Sequence, residues 1–165
     1  MAINKSNDNQ VGIPFTTADV DTLWKHLDVP YVDTILIFIY SGWRISELIN
    51  MPAKHINLEK AYFFGGSKTD SGKNRYVPIH SKIMPLVQNR LKDNPFLIMN
   101  GDEKIKVYEY RNIFYRTLNT LKIERHTPHD CRHTFASMLD SAGANEVAMK
   151  LMLGHKIKND ITKEV

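Results

Sequence analysis

The segment of the sequence with the most chemistry-bearing side chains spans residues 126–133 and reads HTPHDCRH. Pro128 suits the first turn of a helix, where free backbone N–H groups and the positive end of the helix dipole attract anions. His129 and Arg132 are three residues apart, so both project from one face of that turn. Arginine grips two phosphate oxygens in a fork and histidine gives or takes a proton near neutral pH. The pair therefore suits chemistry on a phosphate.

Two other interpretations of this segment stay open. The first is an ordinary helix start whose polar side chains are solvated. The second is a metal site, because four of the residues are of ligand type, although their spacing matches no familiar zinc pattern. Those four residues are His126, His129, Cys131 and His133.

Three basic residues elsewhere are further candidates. Arg44 lies in a predicted bend between two helices, and Glu47 follows three residues later, where it could orient or neutralise the arginine. Lys68 precedes a predicted hairpin turn, and His155 follows the predicted end of a helix. Each also has an ordinary explanation: an arginine whose stem covers Trp43, a solvated lysine, and a histidine at a negative helix terminus.

Taken in order, the segments around these residues form a series. It comprises GWRISEL at 42–48, Lys68 ahead of a turn, HDCRHTFASML at 129–139 and LMLGH at 151–155. The series resembles the catalytic domain of the tyrosine recombinases, the phage integrase family, from about Thr16 to His155. The three longer motifs, in this order and at domain-like separations, make the resemblance specific.

The resemblance implies a reaction that breaks and rejoins DNA without a metal or cofactor. A tyrosine attacks the scissile phosphate, giving a 3′-phosphotyrosyl link and a free 5′-hydroxyl, and a second 5′-hydroxyl reverses the step. By resemblance, Arg44 and Arg132 would clamp the non-bridging oxygens and Lys68 would protonate the leaving oxygen. His129 would assist proton transfer, and His155 would hold the phosphate from the other side. Glu47 would lie in a supporting shell, and His133 would support the site from behind or pack in the core.

The nucleophile is where the sequence departs from the family pattern. The family's tyrosine follows the LMLGH-like motif by roughly ten residues, and no tyrosine occurs here after Tyr115. Most of the seven tyrosines fall in helical or strand patterns, as core or surface aromatic residues do. We therefore expect the chain to be cut at or just before the nucleophile, so that this polypeptide does not cleave DNA while the longer protein does.

Composition limits the class of protein and its partners. The chain has 165 residues, 42% of them hydrophobic and 24% charged, which fits one globular domain. No apolar run approaches the roughly 20 residues that span a bilayer, so no membrane is expected. A net charge of +4 favours polyanionic partners only mildly, and a single cysteine excludes an internal disulfide. A reducing, cytoplasmic location follows as an expectation.

Hydrophobic spacing predicts an α+β domain, mainly helical with a small three-stranded antiparallel sheet. Helices are predicted from Thr17 to about Leu27, from Pro30 to Gly42, and at 46–51, 83–91, 107–121, 129–142 and 145–153. Strands are predicted near 56–58, 61–64 and 76–79, with a turn at 70–73 and a separate extended piece at 96–99.

We expect residues 1–14 to be the end of a linker and 15–165 to be the catalytic domain, without its C-terminal tail. The resemblance implies double-stranded DNA as the partner, a DNA-bound tetramer for the full-length protein and a monomer for this fragment. A regulatory DNA-binding module that kept a phosphate pocket without chemistry is an alternative, and a small metal-dependent nuclease is another. The sequence leaves open whether the element is a prophage, a transposon or a chromosomal resolution system.

Overall fold

Seven helices and five short strands make up residues 12–66 and 74–154, the part of the chain that the structure, a computed structural model, describes. The helices are α1 (Thr17–Lys25), α2 (Val32–Ser41), α3 (Ile45–Ile49), α4 (Met84–Leu91), α5 (Val107–Thr120), α6 (Pro128–Ser141) and α7 (Glu146–Leu153). The strands are β1 (Ile56–Asn57), β2 (Tyr62–Gly65), β3 (Arg75–Pro78), β4 (Met99–Asn100) and β5 (Glu103–Lys104). The predicted α+β fold is confirmed.

Helix α2 is the centre of the hydrophobic core. Of its ten residues only Asp33 is not buried, and the helix packs against α1, α4 and α6. Helical spacing in the sequence predicts Val32, Ile35, Leu36 and Ile39 on an inward face, and all four are buried, but so are the residues on the other faces. An α-helix that is apolar on all its faces must be surrounded by protein, and the neighbouring helices cover α2 in this way.

The strands β1, β2 and β3 form the predicted antiparallel sheet in that order. In the register Phe63 lies opposite Val77, and Phe64 opposite Tyr76. Side chains alternate across a strand, so Phe63 and Val77 face the core while Phe64 and Tyr76 face outward. The turn predicted at 70–73 lies outside the described residues.

Helix α1 begins at Thr17 as predicted, and the side chain of Thr16 caps it by accepting a hydrogen bond from the Asp19 N–H at 3.0 Å. Two details differ from the sequence prediction. Leu27 follows the end of α1 and is 41% exposed, because the helix stops before the predicted apolar face is complete. The extended piece at 96–99 leads into a second, two-stranded sheet of β4 and β5, which the pattern did not indicate.

Gly42 ends α2 in the left-handed conformation, with φ of +71° and its N–H donating to the Phe38 carbonyl at 2.9 Å. A Cβ here would approach the Phe135 ring on α6 to 2.2 Å. Glycine is therefore required both by the backbone and by the close approach of α2 to α6.

Replacing Gly42 with alanine should lower the free energy of unfolding by about 2–4 kcal/mol, the sum of a left-handed backbone term and an overpacking term. Gly143→Ala is the matched control, because Gly143 has φ of +76° but a methyl group added there would meet nothing within 4 Å. It should cost only about 1 kcal/mol. Urea unfolding of the three proteins measures both values, and equal losses would contradict the packing argument.

Candidate active site

Arg132 lies in the first half of α6 and is 3% exposed. Its Nη1 donates to the Gly42 carbonyl at 2.6 Å and its Nη2 to the Leu153 carbonyl at 2.8 Å. These carbonyls close the C-terminal ends of α2 and α7, where a cation is favourable. Burial, and then the charge of Arg44, lower the Arg132 pKa to about 9. The guanidinium thus stays charged at neutral pH and joins three helices.

Arg44 precedes α3 and is positioned by Glu47. The Arg44 N–H donates to Glu47 Oε1 at 3.0 Å, and its guanidinium Nη1 lies 3.5 Å from Glu47 Oε2. The Glu47 carboxylate is 1% exposed, whereas the Arg44 side chain is 34% exposed. One end of the pair is therefore fixed in the protein, and the other presents a positive charge to solvent.

Arg75 on β3 is a functional neighbour that the sequence reasoning missed. Its Nη1 and Nη2 donate to the two Glu47 oxygens at 2.8 and 2.7 Å, and its Nε donates to the Met152 carbonyl at 2.9 Å. Its guanidinium carbon also lies 4.3 Å from the Trp43 ring centroid. The sequence did contain a signal that Arg75 is buried, because strand alternation places it on the same inward face as Val77.

The charge of Glu47 is stabilised by this arginine. Burial alone would raise its pKa, but the hydrogen bonds from Arg75 and from the Arg44 backbone, with the two positive charges, hold the Glu47 pKa below its ordinary value. A buried carboxylate paired this way is costly to leave without its partner.

His129 lies in the first turn of α6, with its ring centroid 5.0 Å from that of His133. Desolvation by the surrounding protein, followed by the charges of Arg132, His133 and Arg44, lowers the His129 pKa to about 4. His129 is exposed to solvent and its ring is neutral at pH 7, so it can accept a proton. Arg132 lies three residues after His129 on α6 and binds the Gly42 carbonyl, two residues before Arg44. The three side chains therefore form one basic cluster, which we call the arginine–histidine cluster.

The remaining predicted residues occupy different surroundings. Glu47 lies directly behind the cluster, as described above. His133 is half-buried beside His129, and a Cβ on Gly12 would come within 1.8 Å of its ring, so the N-terminal segment packs against it. Lys68 and His155 lie outside the described residues.

A second histidine, His126, fixes the start of α6. Its Nδ1 lies 3.0 Å from Asp130 Oδ2, and its ring stacks on Phe15 at 4.0 Å. Asp130 also accepts from the Thr127 N–H at 3.0 Å and from the Ile13 N–H at 3.3 Å. Burial opposes the charged ring, but Asp130 and then Asp19 raise the His126 pKa. The pair holds the N-terminal segment on the turn that carries His129.

The structure does not bring the four residues of the metal interpretation, His126, His129, Cys131 and His133, together into one site. Cys131 is completely buried, and burial raises the pKa of its thiol well above its ordinary value. His126 is engaged by Asp130. Within residues 12–66 and 74–154, no group of three or more His, Cys, Asp or Glu side chains is placed to hold a metal ion.

The chain belongs to the phage integrase family, whose pattern matches residues 15–163. Among curated proteins it is 30% identical to the tyrosine recombinase XerA of Pyrococcus furiosus, over 73% of this chain and 44% of that protein. It is 31% identical to the tyrosine recombinase XerC of Staphylococcus aureus, over 86% of this chain and 49% of that protein. The chain thus spans less than half the length of these two relatives.

Solved structures agree on the fold. A crystal structure of XerA recombinase superposes with a TM-score of 0.78 at 17% identity, covering 94% of this chain and 64% of that one. The Tn1549 transposon integrase in complex with a circular intermediate DNA gives a TM-score of 0.74 at 20% identity, covering 95% and 62%. In the described part of this chain, no helix is long and apolar enough to cross a membrane.

Replacing Arg75 with methionine should destabilise the fold by about 3–5 kcal/mol, because it leaves the Glu47 carboxylate buried without its main partner. Adding Glu47→Gln should recover at least about 1 kcal/mol of that loss, as coupled residues do in a double-mutant cycle. Lys150→Met, which breaks the exposed Lys150–Glu146 pair at 3.0 Å, is the control and should cost less than about 0.5 kcal/mol. Chemical unfolding measures the cycle, and purely additive losses would contradict the pairing.

The pKa values of His129, in the first turn of α6, and His126, just before it, should be shifted in opposite directions. By NMR, we expect His129 to titrate near pH 4 and His126 above its ordinary value of 6.5. Since unfolded His129 binds its proton below about pH 6.5 and native His129 only near 4, it makes stability fall as pH drops through this range. Arg44→Gln should raise the His129 pKa by removing a nearby cation. A His129 that titrates at 6.5 and ignores Arg44→Gln would contradict the cluster.

Proposed function

We propose that residues 15–165 are the catalytic domain of a site-specific DNA recombinase, which breaks and rejoins strands through a 3′-phosphotyrosyl intermediate. The observation that carries the proposal is the arginine–histidine cluster, in which two arginines and a neutral histidine meet on a rigid, partly buried support. Membership of the phage integrase family adds to it, as do the names of relatives, which are tyrosine recombinases and an integrase in complex with DNA.

The arginines suit the charge that develops during phosphoryl transfer. A five-coordinate phosphorane carries more negative charge than the starting diester, so fixed donors aimed at its non-bridging oxygens lower the barrier. Arg44 has its guanidinium partly exposed, and Arg132 is held in place by two backbone carbonyls. In our proposal the two form the clamp, while Glu47 and Arg75 keep Arg44 in place.

Proton transfer in our proposal involves three residues. His129, neutral at pH 7, accepts or relays a proton close to the phosphate. Lys68 protonates the leaving 5′-oxygen and His155 holds the phosphate from the opposite side, roles that rest on the family motifs alone. The reaction as proposed needs no metal or cofactor. His133 supports the site by packing against His129.

We propose that none of the seven tyrosines is the nucleophile, so that this chain does not itself form the covalent link. All seven lie in the described part of the chain. Tyr110 is fully buried, and its pKa is raised well above the ordinary value. The Tyr40 hydroxyl accepts a hydrogen bond from Trp24 Nε1. Tyr31 and Tyr115 lie under arginines away from the cluster. The rest are on the outer sheet face or on α5, namely Tyr62, Tyr76 and Tyr108.

The proposed partner is double-stranded DNA. The longer protein would act as a DNA-bound tetramer, whereas this chain alone would be a cytoplasmic monomer that binds DNA weakly and without strong sequence preference. Such binding releases counterions from phosphates, so it should weaken steeply as salt is raised. A lambda integrase tetramer bound to a Holliday junction has the same fold, with a TM-score of 0.69.

The test is formation of a covalent adduct. A pool of duplexes with a randomised core and a nick beside it is mixed with the longer natural protein in the presence of a chelator, and protein-linked DNA is recovered and sequenced. The nick lets a short end leave, so rejoining is prevented and the adduct should accumulate. Arg132→Ala should slow adduct formation by about a hundredfold or more.

Two controls separate the alternatives. The present 165-residue chain should give no adduct, and an adduct from it would mean that an internal tyrosine is the nucleophile. In the longer protein, a 5′-thiolate leaving group should partly rescue Lys68→Ala, because it needs no proton. DNA binding with no adduct under any condition would instead favour a regulatory module with a phosphate pocket.

A further inference from the structure

The outward face of the sheet carries a row of aromatic rings. Phe64 and Tyr76 are directly cross-strand, with ring centroids 4.5 Å apart. Tyr62 meets Tyr76 edge-on at 5.1 Å, and His55 meets Phe64 at 5.9 Å. Tyr76 is 59% exposed, so one face of the row is open to solvent. Cross-strand aromatic pairs stabilise a sheet by themselves, but that role does not require an open face.

This aromatic row forms one side of a cleft of about 130 Å³. The cleft is lined by Lys54, His55, Asn57, Tyr62, Phe64 and Tyr76. Among the described residues, the lining offers flat apolar surfaces, an amide, two phenols and a lysine, and no carboxylate. Its size suits a single planar ring rather than a length of duplex. Its chemistry is that of a site which stacks a base and attracts the adjoining phosphate.

The cleft adjoins a second one on the side of the candidate active site. This second cleft, of about 490 Å³, runs between α3 and the sheet, and its lining includes Glu47, Ser46 and Asn50. The two clefts share His55 and Phe64. Glu47 lies behind the arginine–histidine cluster and contacts Arg44, so the second cleft extends from the aromatic row toward that cluster.

We propose that the outer face of this sheet binds one unpaired nucleobase of the DNA held at the arginine–histidine cluster, stacked on Tyr76. The inference rests on the proposed function, because it takes DNA as the occupant. Every base has a π-face, so the stacking is indifferent to sequence, while Lys54 supplies a phosphate contact beside it. The site would favour DNA in which a base near the active site has left the helix.

The experiment compares two fluorescein-labelled duplexes of the same sequence, one fully paired and one with a single-base bulge. Fluorescence anisotropy at low salt gives the Kd of the 165-residue chain for each, and the readout is the ratio of the paired Kd to the bulged Kd. Losing one stacked base commonly costs a factor of about five or more in affinity. We expect a ratio of about five or more for the natural chain.

Four variants separate stacking from folding. Tyr76→Phe should keep the ratio, because the ring remains, whereas Tyr76→Leu should bring it close to one. Lys54→Gln changes an exposed side chain outside the sheet and should lower the ratio about twofold even if Tyr76→Leu fails to fold. Tyr108→Leu is the matched control, since Tyr108 is 63% exposed on α5, and it should leave the ratio unchanged.

Several outcomes would overturn the inference. A ratio near one for the natural chain removes it while leaving the proposed function intact, provided the paired duplex still binds and Arg44→Gln weakens that binding. Absence of binding to either duplex removes both proposals. A natural chain that dimerises in sedimentation equilibrium, and a Tyr76→Leu variant that does not, would make this face a contact between copies and not a base site.

Discussion

The arrangement of the whole site depends on one buried carboxylate. Glu47 is held in the interior by a two-pronged hydrogen bond from Arg75, and it in turn orients Arg44. A buried charge without a partner is strongly unfavourable, so α3 and β3 can pack only where these groups meet. Arg75 also binds the Met152 carbonyl, which adds α7 to the same junction. One ionic interaction thereby fixes three separate segments of the chain around the place where Arg44 emerges.

Arg132 extends this constraint through the backbone. It binds carbonyls at the ends of α2 and α7, so its positive charge lies against the negative ends of two helices. Burial, and then the neighbouring positive charges, lower the pKa values of Arg132 and His129, so the positive charges of the cluster are crowded. A bound phosphate would relieve that crowding. The repulsion between these cations is already overcome when the protein folds, so the hydrogen-bond donors of the cluster are in place before any ligand binds.

Much of this could be read from the sequence because periodic patterns report burial directly. The apolar spacing indicated α2 and the three-stranded sheet, and Pro128 indicated the start of α6. The residue types and their positions brought Arg44, His129 and Arg132 to attention, and the family motifs gave them roles. Strand alternation could have placed Arg75 on the inward face, but the sequence could not identify its partner, because Glu47 lies 28 positions away. The sequence also could not indicate β4 and β5, whose strands are two residues long and carry no pattern. The prediction that Leu27 belongs to the buried face of α1 was wrong for a local reason. The helix ends at Lys25, two residues before Leu27.

The account's central claim is that the arginine–histidine cluster is built to hold a phosphate. The most direct measurement is a crystal structure of the protein soaked with tungstate, an electron-dense tetrahedral dianion. The account predicts one ordered tungstate with oxygens about 2.7–3.2 Å from the Arg44 guanidinium and the His129 ring, and with Glu47 and Arg75 unmoved. Tungstate bound only at surface lysines, or an Arg44 guanidinium turned away from Arg132 and His129, would contradict it.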